Sequence, residues 1–213
     1  MKHVAGFVIA IVVAGACSKS GESTPPASNA APAAGGSAGA LPAPGRFVVE
    51  AAHSTVLFKV RHVDAGYIYG WFKDYTGTFT IDADPKRSHI ELAVKADSVD
   101  TRDAERDGNI TGPDFLNAKQ FPTLEFKSTS VDADGAGWRV TGDLTIRGIT
   151  KPVTFTATPV GEAKNPQGWK PGTRFVGVEA TFTITRGDFG VTFMPEIVGP
   201  KIELIIALEG TAA

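Results

Sequence analysis

The sequence predicts an antiparallel all-β domain of about eight strands, closed as an up-and-down barrel or folded as a sandwich. Three features carry that expectation. Apolar and polar residues alternate with a period of two through most of residues 46–213, which places successive side chains on opposite faces of a strand. Short clusters of Asp, Gly, Pro and Lys punctuate the alternating runs and read as tight turns. The runs recur at even spacing, and closing them into a ring removes the edges that would otherwise template aggregation.

The chain does not begin with that pattern. Lys2 supplies a positive charge and Val4 to Val13 is an uninterrupted run of apolar and small residues. The run is shorter than the roughly 20 apolar residues a spanning helix needs, so it reads as a removable export signal. Val13, Ala14, Gly15 and Ala16 lead to Cys17, the only cysteine. Small residues before a cysteine resemble the lipobox of bacterial lipoproteins, with Ala14 standing where leucine is usual. That resemblance implies cleavage after Ala16 and acylation of Cys17, which accounts for a lone thiol in an oxidising compartment. Ser18 after the cysteine, in place of aspartate, implies an outer-membrane destination facing the periplasm. From Ser18 to Gly45, 23 of 28 residues are Ala, Gly, Pro or Ser, too little apolar surface to offset the entropy of ordering, so this stretch is predicted to be a flexible tether. The expected organisation is a signal peptide over 1–16, a lipidated cysteine and tether over 17–45, and one domain over 46–213.

Within the domain, FVVE at 47–50 and VLFKVR at 56–61 open the alternation, with Val56, Phe58 and Val60 on one face and Lys59 and Arg61 on the other. Residues 78–82 repeat it with Phe79 and Ile81, and 89–96 with Ile90, Leu92 and Val94. Strands follow over 124–128, 138–147, 153–158, 174–186 and 201–210. Residues 101–122 lack the alternation. Pro113 suits the first residue of a short helix capped by Gly112, with Phe115 and Leu116 on its turns, so a helical excursion near 101–121 is expected to plug or lid one end, with Phe115, Leu116 and Phe121 inward.

The chemistry legible in the chain is sparse. The formal charge of −2, from 21 basic and 23 acidic residues, leaves no electrostatic footprint for nucleic acid. His53, His62 and His89 show no metal-ligand spacing and read as surface or mouth residues. Arg102, Asp103, Arg106 and Asp107 read as a salt-bridged loop in preference to an acid–base centre. No serine–histidine–aspartate order, phosphate loop or zinc helix motif occurs.

Three blocks make a specific resemblance. Residues 53–62 (HSTVLFKVRH), 70–72 (GWF) and 75–79 (YTGTF) resemble the start of the YceI-like, or polyisoprenoid-binding, family of periplasmic proteins. Residues 98–101 (SVDT), Arg106-Asp107, 114–116 (DFL) and 121–128 (FPTLEFKS) are similar to its most distinctive stretch, and 142–153 (GDLTIRGITKPV) to a further signature. The resemblance implies a lipocalin-like barrel whose apolar tunnel holds a long isoprenoid, a quinone or polyprenyl carrier, for carriage or buffering. It offers no catalytic residue to carry over, and no cofactor is expected beyond the bound lipid. The expected tunnel residues are Phe58, Val60, Phe72, Phe79, Ile90, Leu92, Phe115, Phe126, Phe155 and Phe182, with His62, Arg106 and Asp107 at the mouth. Some of these phenylalanines are equally suited to packing the barrel shut. The alternative function is an enzyme acting on an isoprenoid or an envelope redox substrate, with His62 or Asp107 near the mouth. Membrane attachment through acylated Cys17 is expected, and a homodimer is left open.

Overall fold

The computed structural model describes residues 41–165 and 172–213; the predicted signal, Cys17 and most of the predicted tether lie outside the described residues. The strands are β1 (Gly45–Val49), β2 (Thr55–His62), β3 (Gly66–Phe72), β4 (Tyr75–Ile81), β5 (His89–Lys95), β6 (Val99–Asp100), β7 (Thr123–Asp134), β8 (Gly137–Ile146), β9 (Ile149–Lys164), β10 (Arg174–Thr185) and β11 (Val198–Ala212), with one α-helix, α1 (Ala104–Thr111), between β6 and β7.

All pairings among them are antiparallel, and they make eight staves. β1 and β2 lie end to end along β11, with Phe47 opposite Ala212 and Thr55 opposite Ala207. β3 and β4 continue one another in the same way, Phe72 facing Val56 and Phe79 facing Phe47. A 3-10 turn at Ala51–His53 breaks the first stave. The Tyr75 hydroxyl latches that break by donating to the Ser54 carbonyl at 2.6 Å and the Ala51 carbonyl at 3.2 Å, and burial raises its pKa above the usual phenol value. β1 bonds to both β4 and β11, which closes the ring. The chain therefore forms the predicted antiparallel eight-strand, lipocalin-like barrel. β3 was not expected: its outward residues Tyr67 and Tyr69 are exposed aromatics and Gly70 faces in, so the strand shows no apolar-in, polar-out signature.

The two ends differ. Antiparallel order gathers the turn at 63–65, the 96–122 segment, the turn at 147–148 and the 186–197 connection at one end. At the other end Phe47, Phe79, Ile81, Val131, Trp138, Val140, Val176 and Leu208 form a buried cluster, with the Phe47 and Phe79 rings stacked at 5.1 Å. This cluster closes the barrel from below. Pro42 is buried there, and the Arg174 guanidinium, ion-paired to Glu162, donates to the Ala43 and Pro44 carbonyls, so the last residues of the predicted tether are held on the barrel.

At the open end the β3–β6 ladder covers only Trp71 and Phe72, and residues 101–122 fill the side left between β3 and β7. The helix here runs from Ala104 to Thr111, before Pro113 and not after it, which corrects the sequence expectation. Asp103 is its N-cap, its carboxylate accepting from the Arg106 N–H at 3.0 Å. Gly112 is the C-cap, and Pro113, lacking an N–H, lies just beyond the stop. Phe115 and Leu116 lie on the turns that follow.

Candidate functional site

Inward parity along the staves leaves an apolar interior in two adjoining parts that share two wall residues. The outer part, about 590 Å³, opens between β2, β3, α1 and the 186–197 connection. Its wall includes Phe58, Val60, Ile68, Phe115 and Leu116, with His62 and Arg106 at its polar edge. The inner part, about 100 Å³, lies deeper among Ile90, Leu92, Phe126, Phe155 and Phe182. Phe72 and Ile146 line both. Below, the Phe47–Phe79 cluster ends it.

The narrow inner part has a residue-level cause. Phe126, Phe155 and Phe182 form an aromatic row across β7, β9 and β10, with centroids 5.4 and 4.4 Å apart. Gly142 on β8 makes room for it, because a Cβ there would come within 2.5 Å of the Phe126 ring. The outer part is kept wide by a similar device. Phe58 lies over Gly70, its cross-strand partner, where a Cβ would meet the Phe58 ring at 2.5 Å and the Thr101 methyl at 2.7 Å. The ring then leans toward Phe72, with centroids 5.9 Å apart, and faces the lumen, while Lys59 on the opposite face pairs with Glu203 at 2.5 Å.

Two residues predicted for the site stand outside the cavity lining. Phe79 is 2% exposed and stacks on Phe47 in the closing cluster; its parity is inward, but its height along the barrel is that of the closed end. Asp107 accepts from the Thr101 N–H at 2.8 Å and its hydroxyl at 2.6 Å. Arg106 donates to the same hydroxyl at 2.7 Å and to the Thr101 carbonyl at 2.8 Å. The expected salt-bridged loop is thus a buried threonine clasped from both sides, which fixes α1 against β6. His53 sits in the 3-10 break, 3.3 Å from Glu209, well away from the mouth. Among the described residues no group of three or more His, Cys, Asp or Glu is placed to hold a metal.

The sequence reading missed Arg186. It is 6% exposed, lines the outer cavity, and donates to four main-chain carbonyls: Gly199 at 3.1 Å, Val191 at 3.0 Å, Phe193 at 2.8 Å and Val198 at 2.8 Å. Burial lowers its pKa from the usual arginine value. One guanidinium thereby gathers the connection from β10 to β11 that forms one wall of the mouth.

An eight-stave antiparallel barrel with an apolar lumen, closed at one end, defines a lipocalin-like protein. Residues 47–210 match the YceI-like domain, and the chain belongs to that family. It is 39% identical over 162 residues to Protein YceI of Salmonella newport, covering 76% of this chain and 83% of that protein. Among solved structures it resembles the Campylobacter jejuni YCEI protein, with a TM-score of 0.63 and 27% identity over 72% of this chain and 90% of that one. It also shares its fold with a polyisoprenoid binding domain from Saccharophagus degradans, with a TM-score of 0.57 at 13% identity, covering 78% of this chain and 98% of that one. The barrel is thus a unit that stands as a domain by itself in that neighbour.

Proposed function

We propose that this protein is an envelope lipoprotein that binds a long isoprenoid lipid, a quinone or polyprenyl carrier, in the barrel lumen for carriage or buffering. The observation that carries the reading is the cavity itself. Its volume of about 590 Å³ lies in the range of about 300–1,000 Å³ typical of ligand sites, and the smaller apolar part beyond Phe72 and Ile146 suits the tail of a chain that enters tail first. Each methylene taken out of water contributes about 0.8 kcal/mol, so a polyprenyl tail needs few polar contacts to bind. The Saccharophagus neighbour, described as polyisoprenoid binding, supports the same ligand class. Binding is favoured over catalysis because both arginines of the lining are occupied in holding backbone or hydroxyl oxygens, which leaves them as structural groups.

Native mass spectrometry of the protein purified from its membranes, followed by lipid extraction, tests this. The expected result is a bound species whose mass is that of an isoprenoid, released on unfolding. A barrel that emerges with an empty lumen from cells rich in quinone would overturn the reading. Membrane attachment is tested separately by Cys17→Ser: the variant is expected to leave membranes washed with alkaline carbonate, which the parent resists, because two acyl chains anchor a protein stably and a peripheral contact does not. Retention of the variant through that wash would count against an acyl anchor.

A further inference from the structure

The cavity rim carries four exposed apolar side chains. Val63 in the turn between β2 and β3 is 49% exposed, and Phe193, Met194 and Ile197, between β10 and β11, are 42%, 42% and 39% exposed. The Val63 N–H donates to the Ile197 carbonyl at 2.8 Å, so the two segments form one ridge. Phe193, Met194 and Ile197 also line the outer cavity, which makes the ridge continuous with the opening. It is a built feature: Arg186 holds the carbonyls of Val191, Phe193 and Val198, and the Phe193 ring meets Phe115 edge-on at 5.7 Å.

The backbone of the ridge supplies a second, independent observation. Among the described residues, the non-glycine positions with positive φ are Val63, Asp64, Arg102, Asn117, Arg147 and Met194. Only Val63 (φ 42°) and Met194 (φ 50°) are apolar, and both are on this ridge. A left-handed conformation is costly for a β-branched residue, and a β-turn with positive φ at both central positions, as His62 to Ala65 forms here, takes Asn or Gly at little cost. Folding alone would therefore favour Asn at position 63. An apolar side chain held in a strained conformation and turned to water is accounted for by a surface that takes it out of water.

We infer that this ridge docks into the surface of a lipid bilayer, so that the cavity mouth opens against the membrane. The inference rests on the isoprenoid reading above, since a ligand of that kind resides in a bilayer and reaches the lumen without crossing water only if the mouth meets one. Around Val63 charge is compatible with insertion, because Arg61 and Asp64 pair with each other at 2.8 Å and leave no unmatched ion beside the valine; Glu196, exposed between Met194 and Ile197, limits that side of the ridge to the hydrated headgroup level. Chain length is compatible too. The tether joins the barrel at the end away from the mouth, and its last residues are held there, but the 24 residues from 18 to 41 reach up to about 85 Å when extended. The 15 residues of β11 span about 50 Å. A chain anchored at Cys17 can thus set its mouth on the same bilayer.

The test uses residues 41–213, within which the barrel closes, and vesicles of phosphatidylethanolamine and phosphatidylglycerol. Val63→Asn removes the apolar group, relieves the backbone, keeps the main-chain bond to Ile197 and alters a side chain that does not line the cavity. It is expected to lower the vesicle-bound fraction about tenfold and to slow uptake of a quinone from those vesicles in proportion. It should leave the amount of quinone loaded from detergent micelles unchanged and melt no lower than the parent protein, an outcome that damage to the fold cannot produce. Met194→Asn should weaken vesicle binding likewise. Vesicle binding by both variants at the parent level overturns the inference. So does a parent domain that ignores vesicles, including one that sediments as a dimer which Val63→Asn dissociates, since the ridge would then be a contact between copies. A parent domain that takes up no quinone from micelles fails the isoprenoid reading, while the vesicle measurement still decides the docking.

Discussion

Phe58→Asp is expected to give a folded barrel whose co-purifying isoprenoid falls by more than about tenfold, whereas Lys59→Asp, one residue along, retains it. The contrast comes from strand geometry, which turns neighbouring side chains to opposite faces. Phe58 lies over Gly70 beside Phe72, which with Ile146 lines both the outer and the inner part of the lumen, so a chain running from the mouth toward the inner part lies against it. A carboxylate at that point must stay hydrated, and dehydrating it without a partner costs about 2 kcal/mol or more. A bound lipid would impose that cost in full, while the empty barrel avoids it by admitting water from the open end. Binding therefore suffers more than folding. Lys59 stands outside, paired with Glu203 and 4.8 Å from the centre of the Tyr67 ring. Its replacement by aspartate sets two carboxylates directly across β2 and β11 and should lower the melting temperature somewhat without touching the lumen. Circular dichroism on both variants before extraction separates the two effects. A folded Phe58→Asp protein with the parent's lipid content, or lipid lost from Lys59→Asp instead, would refute the assignment of faces.

The faces of the barrel were legible because alternation reports them directly: Val56, Phe58 and Val60 read as inward, and the register of β2 places them so. Height along the barrel was not legible. Phe79 and Phe72 share inward parity, yet one stacks in the closed end and the other lines the lumen, because depth is set by which turns gather at which end, a property of the whole ring. β3 is not legible because its two faces do not contrast: Tyr67 and Tyr69 are exposed aromatics outside, while Ile68, Gly70 and Phe72 face in. The helix was displaced by one strong local signal, Pro113, that serves as a stop as readily as a start; the Asp103 carboxylate bonded to the Arg106 N–H is what sets its beginning. The rim was the least legible part. Its order depends on Arg186 meeting carbonyls 5 to 13 residues away, and a single arginine after a strand carries no sign of that in sequence.

Arg186→Met is expected to destabilise the barrel by about 3 kcal/mol and to release the rim. The guanidinium is buried and its bonds go to four carbonyls of the connection into β11. Methionine fills much of the same volume but donates nothing. Hydrogen bonds to charged groups contribute about 1.5–3 kcal/mol each. The full sum is not lost, because carbonyls near the mouth regain water and the cost of burying an unpaired cation disappears with it. For a domain of this size the remainder corresponds to a fall of roughly 10 °C in melting temperature. Arg186→Lys should fall between, since an ammonium keeps the charge but lacks the planar fork that spans four acceptors. The effect should also be local. Amide exchange is expected to accelerate over residues 190–199, including the Val191 N–H that donates to the Arg186 carbonyl at 3.2 Å, while the closing cluster about Phe47 and Phe79 keeps its protection. A uniform rise in exchange across both ends would show that Arg186 supports the whole barrel. An unchanged melting temperature with a still-protected connection would show that the rim holds itself without it.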